Sequence, residues 1–391
     1  MSEPEISRDL ASLRALFPIT QHWAYFLNGS IAPASLPVQR AIEQFVRVWA
    51  ENGQDCWPYG YALFGELKAR VASLAGASPD EIAITENTTV GLNMAAAVID
   101  PPAGSNVVVN DLAWMSSTYA WLTRQKGKLE VRFVQNREGA IDLEDLAAKV
   151  DERTAAINVC HVTVGSGFRF DLAAVAEIAH QMGAYLIVDV AQSAGAVPVD
   201  LRAAGVDFAA GTFSKWLMGP TGLGWLYVRR ELIERLTPPV AGWLSVENVD
   251  AWDVYKPVLH PTAMRFQGGM PNLIGIAAAN AGVKLLQELG LPWVHQEIAA
   301  RAAYLWQGLR EAGAQMWTPE EPQRRGGFVF FRCSGHEVLY ERMMANKVYV
   351  GKFLGGIRVD PSFYTSYEEL DKVIGMVREH VRGAVRGADG A

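Results

Sequence analysis

The sequence predicts an α/β fold, with a large domain built on a mostly parallel sheet flanked by helices and a small C-terminal α+β domain. Apolar runs at 106–110, 129–134 and 154–162 are separated by helical patterns, an order typical of βαβ units. After about Val240 the alternation stops, and it resumes with shorter runs from residue 326. Parallel sheets bind ligands beyond the carboxyl ends of their strands, so polar residues at those ends are the first candidates for a site.

The remaining elements follow from periodicity and from helix-start signals. Leucines near the N-terminus have helical spacing, and a further helix follows Pro37. The apolar run EIAIT leads into a helix through Asn87-Thr88-Thr89. We therefore expect three parts: a helical arm at 1–20, the large domain at 21–255, and a connecting segment with the small domain at 256–391.

Composition argues against several classes of protein. The net charge of −7 and the lack of a lysine or arginine run argue against nucleic acid and anionic membranes as partners. No apolar run approaches the roughly 20 residues of a membrane span, and the N-terminus lacks a signal-peptide core. Cys56, Cys160 and Cys333 are too few and too scattered for a disulfide framework or a zinc site. We expect a cytoplasmic protein without a metal centre, with Cys160 in the core.

Lys215 and Asp189 are the most informative pair of residues. Asp189 ends the apolar run AYLIVD, and Lys215 follows a second apolar run 26 residues later (215 − 189). A lysine amine can form a Schiff base with an aldehyde cofactor, and an aspartate can keep a pyridinium nitrogen protonated. Each residue alone is also consistent with an ordinary role, as a solvated lysine or as a cap of a turn. Together they indicate a pyridoxal phosphate (PLP) enzyme.

The helix start at 87–89 is a candidate phosphate site. A helix N-terminus offers free backbone N–H groups, and Thr88 and Thr89 add two hydroxyls. Because serine and threonine cap many helices, the turn is equally consistent with ordinary capping. The turn supports a phosphate site only when it is considered together with Lys215 and Asp189.

The run DVAQSAGAVPVDLRAAGVDFAAGTFSKWLMGPTGLGWLYV resembles the core of the class V aminotransferase family of fold-type I PLP-dependent enzymes. The resemblance extends from about Tyr25 to Asp371 and includes several motifs in the family's order. The family contains cysteine desulfurases, isopenicillin N epimerase-like proteins and cysteine C–S lyases. The resemblance implies a seven-stranded sheet in a large PLP-binding domain, and the phrase CHVTVGSGFRFDL is closer to the epimerase-like branch.

The resemblance also implies a cofactor site. In it Lys215 forms the internal aldimine and moves the proton at the substrate Cα, while Asp189 pairs with the pyridinium nitrogen. Gln192 would hydrogen-bond the phenolic oxygen of PLP, and Trp114 would stack on the ring. Threonine and serine hydroxyls would bind the phosphate, with a contribution from the partner subunit. The cofactor-binding residues so implied are Thr88, Thr89, Trp114, Asp189, Gln192, Thr212, Ser214, Lys215 and Met270.

For an amino-acid substrate, the resemblance implies three binding residues. Arg358 in GGIRVDPSFY would hold the substrate carboxylate, a task that suits the guanidinium fork. Asn28 and Gly29 match a turn over the substrate side. The segment RFQGGMPN resembles one that reaches the partner's phosphate site, which implies a homodimer with the site at the subunit interface.

The sequence departs from the family pattern at three places. Cysteine desulfurases carry a nucleophilic cysteine shortly before the carboxylate-binding arginine, whereas VYVGKFLGGIRVD has none, and Cys333 lies 25 residues upstream (358 − 333). On this ground the sequence argues that the protein is not a cysteine desulfurase. Trp114 replaces a histidine, and Met270 replaces a hydroxyl residue.

These observations predict a PLP-dependent enzyme acting at Cα of an amino acid through an external aldimine and a carbanion (quinonoid) intermediate. An aminotransferase or epimerase is the main expectation, and a C–S lyase working by β-elimination is the alternative. His161, Tyr25, Tyr61 and Tyr364 are candidates for the second acid of an epimerase. A non-catalytic scaffold with the PLP fold is a further alternative. A dinucleotide-binding oxidoreductase is disfavoured because no G-x-G-x-x-G follows the first strand.

Overall fold

The computed structural model describes residues 6–124 and 129–388, so residues 1–5 of the predicted N-terminal arm lie outside it. The strands are β1 (Ala24–Tyr25), β2 (Ile82–Thr85), β3 (Asn106–Asn110), β4 (Glu130–Val134), β5 (Thr154–Cys160), β6 (Tyr185–Asp189), β7 (Phe208–Thr212), β8 (Gly224–Val228), β9 (Gln315–Met316), β10 (Val329–Arg332), β11 (Val348–Tyr349), β12 (Gly351–Phe353) and β13 (Gly356–Val359). The α-helices are α1 (Leu10–Ala15), α2 (Leu36–Asn52), α3 (Trp57–Ala75), α4 (Thr88–Ile99), α5 (Met115–Leu122), α6 (Leu143–Ala147), α7 (Leu172–Gln181), α8 (Arg230–Ile233), α9 (Leu273–Leu289), α10 (Leu291–Glu311), α11 (His336–Ala345) and α12 (Tyr367–Ala388).

The central sheet has seven strands in the order β2-β8-β7-β6-β5-β3-β4. Strand β8 runs antiparallel to its neighbours β2 and β7, and the other adjacent pairs are parallel. Helices cover both faces, so the strands carry apolar residues on both sides: Val107 and Val109 face one core and Val108 faces the other. The predicted fold class, a mostly parallel sheet of seven strands flanked by helices, is confirmed.

The carboxyl ends of β5, β6 and β7 bring the first candidate residues together. Cys160 and Asp189 are register partners at the ends of β5 and β6. Lys215 follows the end of β7 by three residues (215 − 212). Because these three strands are adjacent and parallel, their carboxyl ends lie at one edge of the sheet, where a ligand site is expected.

A second, antiparallel sheet positions the arginine candidate. Its order is β12-β13-β10-β9, and Arg358 in β13 pairs with Phe330 on one side and Gly351 on the other. Helices α10, α11 and α12 share its apolar core. A parallel bridge between Leu27 and Asp360 places the N-terminal loop beside the end of β13. Residues from the two ends of the chain therefore meet next to the large sheet.

Residues 6–124 and 129–388 contain neither a membrane-spanning helix nor a group of metal ligands. No helix in these ranges is long and apolar enough to cross a membrane. Within the same ranges no three His, Cys, Asp or Glu side chains are grouped as metal ligands.

A buried histidine just beyond β5 makes stability depend on pH. His161 is only 4% exposed, and burial, assisted by the charge of Arg169, lowers its pKa to about 3. The unfolded chain takes up a proton near the ordinary value of 6.5 and the folded chain does not, so stability is lost as the pH falls from about 6.5 towards 3. We expect His161→Gln to flatten the dependence of Tm on pH in this window and the exposed His22→Gln to leave it unchanged; equal curves for both variants would contradict this.

Candidate functional site

Lys215 and Asp189 line one narrow cleft at the carboxyl edge of the sheet. Trp114, Cys160 and Gln192 line the same cleft. Burial lowers the pKa of Lys215, and the negative charge of the Asp189 carboxylate opposes this change without cancelling it. A lysine and an aspartate predicted from separate motifs therefore face one space.

Asp189 is a buried carboxylate held by neighbouring donors. The Ala191 backbone N–H donates to its Oδ1 (2.8 Å), and the Ser117 hydroxyl donates to its Oδ2 (3.3 Å). Burial raises the pKa of Asp189, while Lys215 and these donors favour the charged form. An anion fixed in this way can hold a proton on a ligand nitrogen without moving.

The amine of Lys215 loses its proton more easily than the amine of a solvated lysine. Burial lowers its pKa, and the positive charge of Arg358 lowers it further, whereas Asp189 opposes the change. A lysine has to lose its proton before it can attack a carbonyl carbon or remove a proton. The environment therefore favours both tasks at a lower pH than for a solvated lysine.

Trp114 and Gln192 shape the sides of the cleft. Trp114 caps α5, lines the cleft and is 45% exposed, so its ring is available to a ligand. The Gln192 amide is fixed, since its Nε2 donates to the Gly29 carbonyl (2.8 Å) and its Oε1 accepts from Trp216 Nε1 (3.2 Å). One N–H of the Gln192 amide is left for a ligand.

The start of α4 offers donors for a phosphate. The hydroxyl of Thr88 is buried and, within the described part of the chain, has no hydrogen-bond partner. Thr89 and Ser116 share a hydrogen bond (2.8 Å), as do Thr212 and Ser214 (3.2 Å). A buried hydroxyl without a partner is costly, and it lies at a helix N-terminus of the kind that binds anions. These donors, with Lys215 and Asp189, fit the phosphate, aldehyde and ring nitrogen of PLP.

Arg358 is bound to a carboxylate that the sequence analysis did not single out. It is 2% exposed; its Nε donates to Oδ1 of the fully buried Asp360 (2.5 Å) and its Nη2 donates to Gln192 Oε1 (2.8 Å). The guanidinium carbon lies 3.7 Å from the ring centroid of Phe328. The Gly29 N–H donates to Asp360 Oδ2 (2.8 Å), so the loop, the pair and Gln192 form one network. This network fixes the guanidinium beside the cavity that it lines.

A cavity of about 620 Å³ joins the two halves of the site. It is bounded by Lys215, Trp114 and Gln192 at the sheet and by Gly29 and Arg358 on the opposite side. A small amino acid could therefore reach Lys215 with its carboxylate towards Arg358.

Two predicted site residues have other surroundings. The Asn28 amide donates to the Asp360 carbonyl (2.8 Å) and accepts from the Tyr364 hydroxyl (2.5 Å), and its side chain does not line the cavity. Met270 is half-exposed, and its sulfur contacts the hydroxyl of Tyr61 (3.9 Å). The substrate role of Asn28 and the phosphate role of Met270 stay predictions.

The structure adds three residues that sequence reasoning missed. Cys160 is buried as expected for the core, yet it lines the cleft, and burial beside Asp189 raises its pKa to about 12. Ser117 reaches Asp189 from α5. Asp360 binds Arg358 from two residues along the chain. Two of these residues could have been found from the sequence. Cys160 ends a strand next to the strand of Asp189, and Asp360 lies two residues after Arg358, on the same face of an extended chain.

The close approach at Gly29 gives a testable prediction. A Cβ at this position would collide with Arg358 Nη2 and would lie 2.6 Å from Gln192 Oε1 and 2.8 Å from Asp360 Oδ2. We expect Gly29→Ala to displace the guanidinium and raise KM for an amino-acid substrate by about ten- to a hundredfold. Gly65→Ala, where a Cβ meets open space, is the matched control. A KM of wild-type value in Gly29→Ala would show that the loop does not position Arg358.

Comparisons with known proteins agree on one family. A model described as aminotransferase class-V matches residues 24–349. An uncharacterized aminotransferase of Bacillus subtilis, YcbU, is 28% identical over 361 residues, covering 92% of this chain and 95% of that protein. A probable cysteine desulfurase of Methanothermobacter thermautotrophicus is 31% identical over 298 residues, covering 74% of this chain and 72% of that protein.

Solved structures show the same architecture. The apo structure of a cysteine desulfurase from Thermococcus onnurineus NA1 is similar with a TM-score of 0.87 and 25% identity, covering 98% of this chain and 100% of that chain. A mutant of the protein C-DES with glycine covalently linked to its PLP cofactor is similar with a TM-score of 0.87 and 22% identity, covering 93% of this chain and 98% of that chain.

The sequence-based exclusion of cysteine desulfurases is wrong. Proteins described as cysteine desulfurases are similar over most of the chain, in sequence and in fold. The exclusion depended on one stretch, 348–360, that lacks a cysteine. The identity of one side chain in a short stretch is a weaker criterion than similarity over 74% of the chain or more, because most of the fold lies outside that stretch.

Proposed function

The chain belongs to the class V aminotransferase family, and on this premise we propose that it is a PLP-dependent aminotransferase acting on an α-amino acid. The observation that carries the proposal is the placement of Lys215, Asp189 and Arg358 around connected cavities. Lysine, carboxylate and guanidinium are the groups that bind an aldehyde cofactor, its ring nitrogen and a substrate carboxylate.

Pyridoxal 5'-phosphate is the cofactor that the family and the solved structures indicate. When bound, PLP supplies an aldehyde that condenses with amines and a pyridinium ring that withdraws electrons from the substrate Cα. The residues that would hold it are Lys215 at the aldehyde, Asp189 at the ring nitrogen and Thr88 at the phosphate. The buried, unpaired hydroxyl of Thr88 supports this assignment.

The proton transfers fall to Lys215. Because its pKa is lowered, Lys215 keeps a neutral amine available. This amine can take the proton from Cα and deliver it to another carbon on the same face of the bound substrate. Arg358 binds the substrate carboxylate and so fixes which bond at Cα faces the lysine. Asp189 is held in position by hydrogen bonds from the Ala191 backbone N–H and the Ser117 hydroxyl.

Epimerisation needs a second acid on the opposite face, and the placement of the four candidates from the sequence supports transamination instead. Tyr364 is fully buried and bonded to Asn28, and Tyr25 donates to the Ile31 carbonyl (2.6 Å). Neither these tyrosines nor His161 or Tyr61 lines the two cavities that hold Lys215, as far as the structure describes the chain. A single base on one face suffices for transamination.

Cleavage of a C–S bond is the second candidate. It is supported by the relatives described as probable cysteine desulfurases and by a solved structure of a cystine C–S lyase with a similar fold. Both reactions begin with the same removal of the Cα proton, so the residues above would serve either.

Product analysis separates the candidates. The purified holoenzyme is incubated with a panel of L-amino acids, with and without a keto-acid acceptor. Acceptor-dependent formation of a keto acid supports an aminotransferase, whereas acceptor-independent release of sulfide or persulfide with alanine or pyruvate supports C–S cleavage. A protein that binds PLP and alters no amino acid would contradict both and would support a non-catalytic scaffold.

A homodimer is part of the proposal. Large apolar side chains are exposed along the segment after β8: Val240, Trp252, Val254, Tyr255 and Val258. The concentration of exposed apolar side chains on one segment supports a protein interface there, and the same segment leads to Met270. Light scattering at micromolar concentration is the test.

The domain limits at 20 and 255 and the cytoplasmic location stay predictions.

A further inference from the structure

The outer wall of the 620 Å³ cavity has a composition of its own. Away from Lys215 and Arg358 it is formed by the aromatic side chains Tyr340, Tyr349 and Phe353 together with Lys352. None of the described residues that line it is acidic. A ligand in this cavity therefore meets aromatic surface and positive charge beyond the site of the chemistry.

The cations of the cavity differ in how they are compensated. Lys215 faces Asp189, and Arg358 is paired with Asp360 at 2.5 Å. Lys352 has no ion pair or hydrogen bond to another residue in the described chain, and its Nζ lies 5.0 Å from the ring centroid of Tyr340. Lys352 is thus a cation of the wall without a carboxylate beside it.

The position of Lys352 determines which part of a substrate it could reach. It lies in the edge strand β12, opposite Ile357, while its neighbour Gly351 is opposite Arg358. Because side chains alternate along a strand, Lys352 and Arg358 leave the sheet on opposite faces. Lys352 therefore reaches the cavity apart from Arg358, at the end that it lines together with Tyr340.

Two aromatic residues of the outer wall pack against neighbouring rings. Tyr349 lies 5.2 Å from Tyr25, and Phe353 lies 5.4 Å from Phe330, between ring centroids. Such rings form an apolar surface against which the carbon atoms of a side chain can pack.

We propose that the substrate is an α-amino acid whose side chain ends in a second anionic group, bound by Lys352 at the outer end of the cavity. The inference rests on the proposed function, since it assumes that Arg358 binds the α-carboxylate. Three features support a ligand with an apolar middle and a negative end. They are the positive charge of the cavity, the lack of an ion-pair partner for Lys352 among the described residues, and the aromatic wall.

The test compares two amino acids of equal chain length, L-2-aminoadipate and L-norleucine, by equilibrium titration of the visible absorption of the bound cofactor. We expect wild type to bind aminoadipate about five- to tenfold more tightly, with a preference that weakens as salt is raised. Lys352→Gln is expected to remove most of the preference, with a larger loss in affinity for aminoadipate than for norleucine. Lys149→Gln, which changes an exposed lysine remote from the cavity, retains it.

The outcomes separate this inference from the function beneath it. Equal affinities in wild type, or a preference that survives in Lys352→Gln, would overturn the role of Lys352 while amino-acid binding stands. A cofactor spectrum that no amino acid alters would contradict the proposed function itself, and the inference with it.

Discussion

Lys215→Ala is expected to abolish turnover, with a loss of at least about 10²–10⁴-fold in kcat, because one side chain both holds the cofactor and moves the proton at Cα. The other titratable groups of the cleft are not expected to replace it, because Asp189 is held by hydrogen bonds from Ala191 and Ser117 and burial raises the pKa of the Cys160 thiol to about 12. The measurement is keto-acid formation under saturating PLP, with an added primary amine as a chemical rescue.

A control variant distinguishes a loss of catalysis from a loss of folding. Lys149→Ala changes an exposed lysine and is expected to retain full activity. Lys215→Ala is expected to keep the fold, since the buried carboxylate of Asp189 retains its hydrogen bonds from Ala191 and Ser117. An active Lys215→Ala enzyme would show that the base lies elsewhere.

Arg358→Leu is expected to have two separate effects. It removes the partner of Asp360, which is fully buried, and an uncompensated buried charge costs about 3–5 kcal/mol in the free energy of unfolding. It also removes the group that binds the substrate carboxylate, so KM should rise by about a hundredfold. Denaturant unfolding and steady-state kinetics measure the two effects independently.

The double variant Arg358→Leu with Asp360→Leu separates these effects. Replacing both members of a buried ion pair by apolar residues is often neutral for stability, so most of the lost free energy should return. The high KM should remain, because the carboxylate site is still absent. Recovery of KM together with stability would mean that Arg358 acts only on the fold.

The main sheet was predictable from the sequence because its signal is local. Strands β3, β4 and β5 are apolar runs bounded by helical patterns, and the structure places each within a residue or two of its prediction. The reversal of β8 could not be deduced in the same way, since the direction of a strand depends on its pairing partners and not on its own composition.

The candidate site was predictable in part. Lys215 and Asp189 follow buried strands, and adjacent parallel strands bring such residues to one edge. Asp360 was missed because a carboxylate two residues from an arginine is common on surfaces, and only burial turns this pair into a network. Asn28 was assigned to the substrate from resemblance, whereas its amide is used within the protein.

The most direct test of the central claim is to find which lysine holds the cofactor. The holoenzyme is reduced with borohydride, digested, and searched by mass spectrometry for a pyridoxyl group. We predict the modification on the peptide that contains Lys215. Modification of another lysine, such as Lys68, whose pKa is lowered to about 8 by burial, or of none, would contradict the account.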